Sequence, residues 1–141
     1  MLLKTADGNS FLPIWIGHPE AAAILMKLQG ASTPRPMTHD LLSEMLSQLD
    51  AKCERVSVTE LRDNTFYAVI HMTVRGEALA IDARPSDAIA LALRTRAPIL
   101  VSDEVIDNAK TTDLVTDRMD TDRLQRWLES LDPEELGKYK M

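Results

Sequence analysis

Arg35-Pro36 stands just ahead of Thr38-His39-Asp40, and Arg84-Pro85 stands immediately ahead of Ser86-Asp87. Both stretches give an arginine, a stiffening proline, a hydroxyl residue suited to cap a helix, and an aspartate for the helix's first turn. Proline cannot donate to a sheet ladder, and it holds the preceding residue extended. Ser, Thr and Asp satisfy or complement the unpaired N–H groups of a helix start. A helix start suits an anion, and an arginine beside it adds a planar fork that fits phosphate. The chemistry this permits is phosphodiester cleavage. Arg84 and Arg35 would hold phosphate oxygens, with Ser86 and Thr38 beside them as further substrate-binding groups. Asp87, Asp40 or Glu20 would activate water, and His39 would carry a proton. Asp82 and Asp87 would hold a divalent metal such as magnesium. The same residues also support a purely structural reading, in which each aspartate caps its own helix or pairs with a neighbouring arginine.

Other chemistries find no footing. There is no P-loop, GxGxxG, HExxH or GxSxG. The single cysteine, Cys53, has no second cysteine to form a CxxC and no nearby histidine, which argues against redox or zinc roles. His71 reads as cover for a sheet, and His18 as a loop residue.

The elements that must position these groups follow from the hydrophobic pattern. Ala78–Asp82 is a strand that Pro85 ends, and Ala88–Leu93 is a helix so apolar all round that it must be buried. Before it come a strand end at Leu2–Lys4, a strand over Phe11–Ile16 with both faces apolar, and a helix opened by Pro19 and stopped at Gly30. A second helix, Asp40–Leu49 capped by Thr38, carries Leu41, Leu42, Met45, Leu46 and Leu49 at helical spacing. Arg55–Leu61 and Thr65–Val74 alternate as strands around an Asp63-Asn64 turn. Pro98–Ser102 is a short strand, and Glu104–Ala109 a short helix. Beyond it the chain turns polar, and then Leu124, Trp127, Leu128 and Leu131 form one stripe of a final helix.

At 141 residues, 45% of them hydrophobic, the chain has the size and composition of one globular domain. No apolar run approaches the roughly 18 residues of a membrane span. With no hydrophobic leader at the N-terminus, this points to a cytoplasmic protein. The net charge of −6 is concentrated late: residues 1–102 hold 10 basic and 11 acidic side chains, and residues 103–141 hold 6 and 11. No basic run marks a nucleic-acid groove.

Four blocks together resemble the bifunctional nuclease domain family: Leu12-Pro-Ile-Trp-Ile-Gly17 with Glu20-Ala-Ala-Ala23; Arg35-Pro-Met-Thr-His-Asp-Leu41; Thr65-Phe-Tyr-Ala68; and Asp82-Ala-Arg-Pro-Ser-Asp-Ala-Ile-Ala-Leu-Ala-Leu-Arg94. Their order and spacing are similar to the family's across residues 1–108. The resemblance implies an α+β domain and, for some members, nuclease activity on DNA and RNA. It brings no catalytic set with it. Family members usually carry a further strand before the one ending near Lys4, so a sheet edge is expected to lack its neighbour.

The resulting expectation is an α+β fold with a mixed, largely antiparallel sheet and packed helices over residues 1–108. An acidic linker and helical C-terminal tail over 109–141 would follow. The expected function is a nuclease-like phosphodiesterase with nucleic acid as its substrate. The alternative is a non-catalytic oligomeric regulatory or scaffold module. A homodimer is expected through the sheet edge at Phe11–Ile16, with Trp15 covered.

Overall fold

A computed structural model describes residues 1–116, with side chains through Ala109. The fold is α+β. Its main sheet has four strands in the order β5-β4-β3-β6: Glu77–Ala83, Thr65–Val74, Ala51–Arg62 and Ile99–Val101. The first three are antiparallel neighbours, and β6 joins β3 in parallel, which makes the sheet mixed. A separate two-stranded ribbon pairs β1 (Leu2–Lys4) with β2 (Phe11–Pro13). Four helices complete the order: α1 His18–Leu28, α2 Thr38–Gln48, α3 Pro85–Thr95 and α4 Asp103–Thr116.

The long hairpin β3–β4 closes at Asp63-Asn64, with φ of 52° and 60°, and β4–β5 closes at Arg75-Gly76, with φ of 51° and 80°. Two consecutive residues at positive φ give a turn whose twist matches that of paired strands. β3 begins at Ala51, earlier than the alternation suggests, because the register slips between Cys53 and Arg55 and hides the pattern. One face of β4 (Ala68, Ile70, Met72) meets Val56 of β3 and Ala88, Leu91 and Ala92 of α3 in the main core. The expectation for α3 holds: Ala88 through Ala92 are all buried. Its alanines let the helix lie close to the sheet on one side and to α1, through Ile24, on the other.

Two expectations need correction, and the α2 stripe stands largely exposed. The strand at Phe11 ends at Pro13, which has no N–H to continue a ladder. Only its Leu12/Ile14 face is buried, while Phe11 is exposed and Trp15 is 76% exposed. The α2 stripe is not core: Leu46 alone packs against the main cluster, while Leu41, Leu42, Met45 and Leu49 are exposed. The helix expected over Glu104–Ala109 continues to Thr116, with Val105 and Ala109 buried against Leu12, Ile14 and Val58. The stripe from Leu124 to Leu131 and the acidic tail lie outside the described residues.

Leu91 is among the largest fully buried side chains, and it sits where α3 meets the sheet. Leu91→Ala is expected to cost about 2–5 kcal/mol in urea unfolding. A change below about 1 kcal/mol would mean that the α3–sheet packing is not the core.

Candidate functional site

The first turns of three helices meet at one open cleft of about 750 Å³. Each first turn is set by local chemistry. At α1, Gly17 is the N-cap and Glu20 bends back over it: a Cβ on Gly17 would lie 2.4 Å from Glu20 Oε2. At α2 the N-cap is Met37, not Thr38. Asp40, three residues on, accepts the Met37 amide at 3.0 Å, the reciprocal half of a capping box. At α3 the N-cap is Arg84, not Ser86. Pro85 takes the first helical position, its fixed φ suiting the helix and its missing N–H leaving no orphan, which moves Ser86 into the buried first turn.

Four of the sequence-derived site residues join in one chain of contacts. Arg84 donates from Nε to Asp87 Oδ2 at 2.9 Å and from Nη1 to Glu20 Oε1 at 3.1 Å. Asp87 Oδ1 lies 2.9 Å from His39 Nε2. Glu20 of α1, His39 of α2, and Arg84 and Asp87 of α3 are therefore tied across 64 and 48 positions of sequence. Burial pushes the Asp87 carboxyl up, but the Arg84 and His39 bonds outweigh it and hold the group below its ordinary value. Bonds to Asp87 and then Glu20 raise the Arg84 guanidinium further above its already high value. Arg84 stays 64% exposed at the mouth. An ionised Asp87 accepts from Nε2–H, which leaves His39 Nδ1 as the nitrogen able to take a proton.

The other sequence-derived residues fall elsewhere. Asp40 faces Arg94: Nε reaches Asp40 Oδ1 at 2.6 Å, while Nη1 and Nη2 donate to the carbonyls of Ala90 and Ala23 at 2.9 and 3.1 Å. Arg94 is only 6% exposed, and this bond set fastens α3 to both α1 and α2. Burial again raises the Asp40 carboxyl, and the bonds from Arg94 and the Met37 amide bring it below the ordinary value. Arg94 is the last residue of the stretch Asp82–Arg94, and nothing around it in the sequence marks a role. Its position in the last turn of α3, facing an aspartate of α2 54 positions earlier, leaves no signal in local spacing. Thr38 lines the cleft, as does Asp82 at its edge. Arg35 is exposed and does not line the cleft.

The donor set does not fit a divalent metal. Both Asp87 oxygens already face donors, one of them the Arg84 cation. Among the described residues no group of three or more His, Cys, Asp or Glu converges as a metal site would. Cys53 is buried, and burial pushes its thiol up, away from reactive thiolate. Among the described residues no helix is long and apolar enough to cross a membrane.

The profile of the bifunctional nuclease domain matches residues 1–113. A Mycobacterium tuberculosis protein described as uncharacterized is 36% identical over 138 residues, covering 94% of this chain and 82% of its own length. Bifunctional nuclease 1 of Oryza sativa subsp. japonica is 29% identical over 112 residues, covering 77% of this chain. Bifunctional nuclease 1 of Arabidopsis thaliana is 27% identical over 106 residues, covering 72% of it. The chain spans about a third of the length of these plant proteins, 34% and 33%.

Two outcomes follow. Asp87 and Asp40 both have folded-state values below their unfolded ones. Their contribution is therefore present above the unfolded carboxyl value of about 3.9 and is lost as pH falls through the folded value. Urea midpoints should decline below about pH 4, and the decline should flatten in Asp87→Asn and Asp40→Asn. An acid limb unchanged in both variants would contradict these pairings. Arg94→Met should destabilise the fold by about 2 kcal/mol or more by leaving Asp40 and two carbonyls short of a donor. A neutral result would show that Arg94 does not fasten the helices.

Proposed function

The chain belongs to the bifunctional nuclease domain family, and from that premise we propose that it is a phosphodiesterase acting on RNA, DNA or both. The observation that carries this reading is the Asp87 carboxylate shared between His39 and the exposed Arg84 at the meeting point of three helix N-termini. In this scheme Arg84 and the positive helix ends bind the non-bridging phosphate oxygens and the charge that grows on them in the transition state. Asp87 holds His39 with Nε2 protonated, so Nδ1 accepts the proton of the attacking hydroxyl as its oxygen bonds to phosphorus. The attacking group is water on DNA, or water or a neighbouring 2′-hydroxyl on RNA. The leaving oxygen departs as the P–O bond breaks and takes its proton from solvent. Glu20 holds Arg84 from the far side and acts as a positioning residue.

The cleft is not a basic groove. Glu20, Asp82 and Asp87 line it beside Arg84 and Arg94. Affinity would then rest on point contacts at one phosphate, not on a long electrostatic footprint. The same closed set of ion pairs favours a second reading, a non-catalytic oligomeric module in which Arg84 only ties α1 to α3.

The deciding experiment is cleavage of single-stranded RNA and DNA across the purified protein peak, with and without EDTA. Cleavage is expected to follow the peak and to fall about 100-fold or more in His39→Gln and Asp87→Asn. Arg84→Ala should raise KM and lower kcat together, since Arg84 would meet both the bound phosphate and the charge that grows on it. Cleavage unaltered in all three variants, or absent from the peak, would leave the module reading. Loss in EDTA would bring in a metal that the present carboxylates do not hold by themselves.

A further inference from the structure

Leu42, Met45 and Leu49 of α2, with Leu79 and Ile81 of β5, are between 39% and 66% exposed. Leu42, Leu49 and Leu79 among them line the clefts at the two ends of a groove along β5. Leu49 and Leu79 wall a cleft of about 430 Å³ at one end of β5, and Leu42 and Ala83 share the larger cleft at its other end. Leu79 lies opposite Met72, and Ile81 opposite Ile70, so both stand on the core-bearing face of the sheet, one strand beyond its helix cover.

β5 is also an edge. Among the described residues it pairs only with β4, so one row of its N–H and C=O groups has no strand beside it. Its sequence, Glu77-Ala-Leu-Ala-Ile-Asp-Ala83, holds no proline or lysine and keeps its two charges, Glu77 and Asp82, toward its ends, and its register with β4 runs without a bulge. Proline, lysine and bulges are devices that normally blunt an edge against another chain.

We propose that this face is a two-fold interface between two copies of the chain, in which β5 pairs antiparallel with β5 of the second copy and the two α2 helices close over the joint. Self-complementarity favours a second copy over a foreign partner. Pairing all seven residues places the two-fold axis at Ala80. Leu79 then meets Ile81 in both directions, Asp82 meets Ala78, and Glu77 meets Ala83, so no like charges face each other. The joint makes one eight-stranded sheet and covers the α2 stripe that the single chain leaves in water. β5 leads directly into Arg84, so Gly76 of the second copy comes opposite Arg84, and the Arg75 turn of the second copy stands at the mouth of the cleft. The expected joint at Phe11–Ile16 offers less, because its ribbon strands pair over only three residues.

The test uses the full-length chain at micromolar concentration. Sedimentation equilibrium should give twice the 15.7 kDa chain mass. The double variant Leu49→Lys/Leu79→Lys, which changes only half-exposed side chains, should sediment as a monomer with unchanged far-ultraviolet circular dichroism. Ala80→Cys places two thiols on the axis, with Cα atoms about 5 Å apart, and mild oxidation should give a covalent dimer. Ala78→Cys copies would lie roughly 13 Å apart and should not cross-link. A monomeric wild-type protein, a dimer that survives the double variant, or cross-linking at Ala78 in preference to Ala80 would each overturn the proposal. A monomer with β5 amides protected from hydrogen exchange would assign the groove to residues 117–141 instead.

Discussion

The buried guanidinium of Arg94 is the tie on which the arrangement of helices depends. Its three nitrogens reach its own helix, the end of α1's second turn at Ala23, and Asp40 in the first turn of α2. A buried cation is tolerable only when its nitrogens find acceptors, and here each of the three does. Because Asp40 follows His39 directly, fastening Asp40 also sets the height of His39 against α3. Because Ala23 lies one turn beyond Glu20, the same tie sets α1 against the start of α3. The site is assembled at one end of three helices by a bolt placed further down their length.

The contacts at the mouth are of another kind. Arg84 is mostly exposed, and its pairs with Glu20 and Asp87 are open to solvent screening, so they orient side chains more than they stabilise the fold. That division suits a catalytic arrangement. Burial of α3 and the Arg94 tie hold the frame, while the exposed arginine stays available to a phosphate. With Glu20, Asp82 and Asp87 lining the same cleft, any hold on a phosphate would be local, resting on Arg84 and the helix starts and not on the field of the whole chain, whose net charge is −6.

Much of this was legible in the residues. The apolar circumference of Ala88–Ala92 requires burial, the Arg-Pro pairs mark two helix starts, and the order of four blocks is specific enough to indicate the family. What local spacing could not carry was tertiary. Pro85 occupies the first helical turn, so the capping position falls to Arg84 and Ser86 goes inside. Arg35 sits at a helix start much like Arg84's but has no strand delivering it to the cleft. Arg94 and Asp40 are 54 residues apart, and nothing in either neighbourhood announces the other. The leucine stripe of α2 has the periodicity of a core face, yet most of it stays exposed, because periodicity reports that a face should be covered and not by what.

The central claim is that Asp87 fixes His39 in the form that can take a proton at Nδ1. It can be read from the His39 ring itself. Nitrogen-15 chemical shifts and two-bond couplings of the imidazole at neutral pH, in the wild type and in Asp87→Asn, report which nitrogen carries the hydrogen. The expected result is that the neutral form of the ring carries its hydrogen on Nε2 in the wild type and loses that bias in the variant. A mixed tautomer in the wild type, or a ring unmoved by the substitution, would contradict it and leave Asp87 as a partner of Arg84 alone.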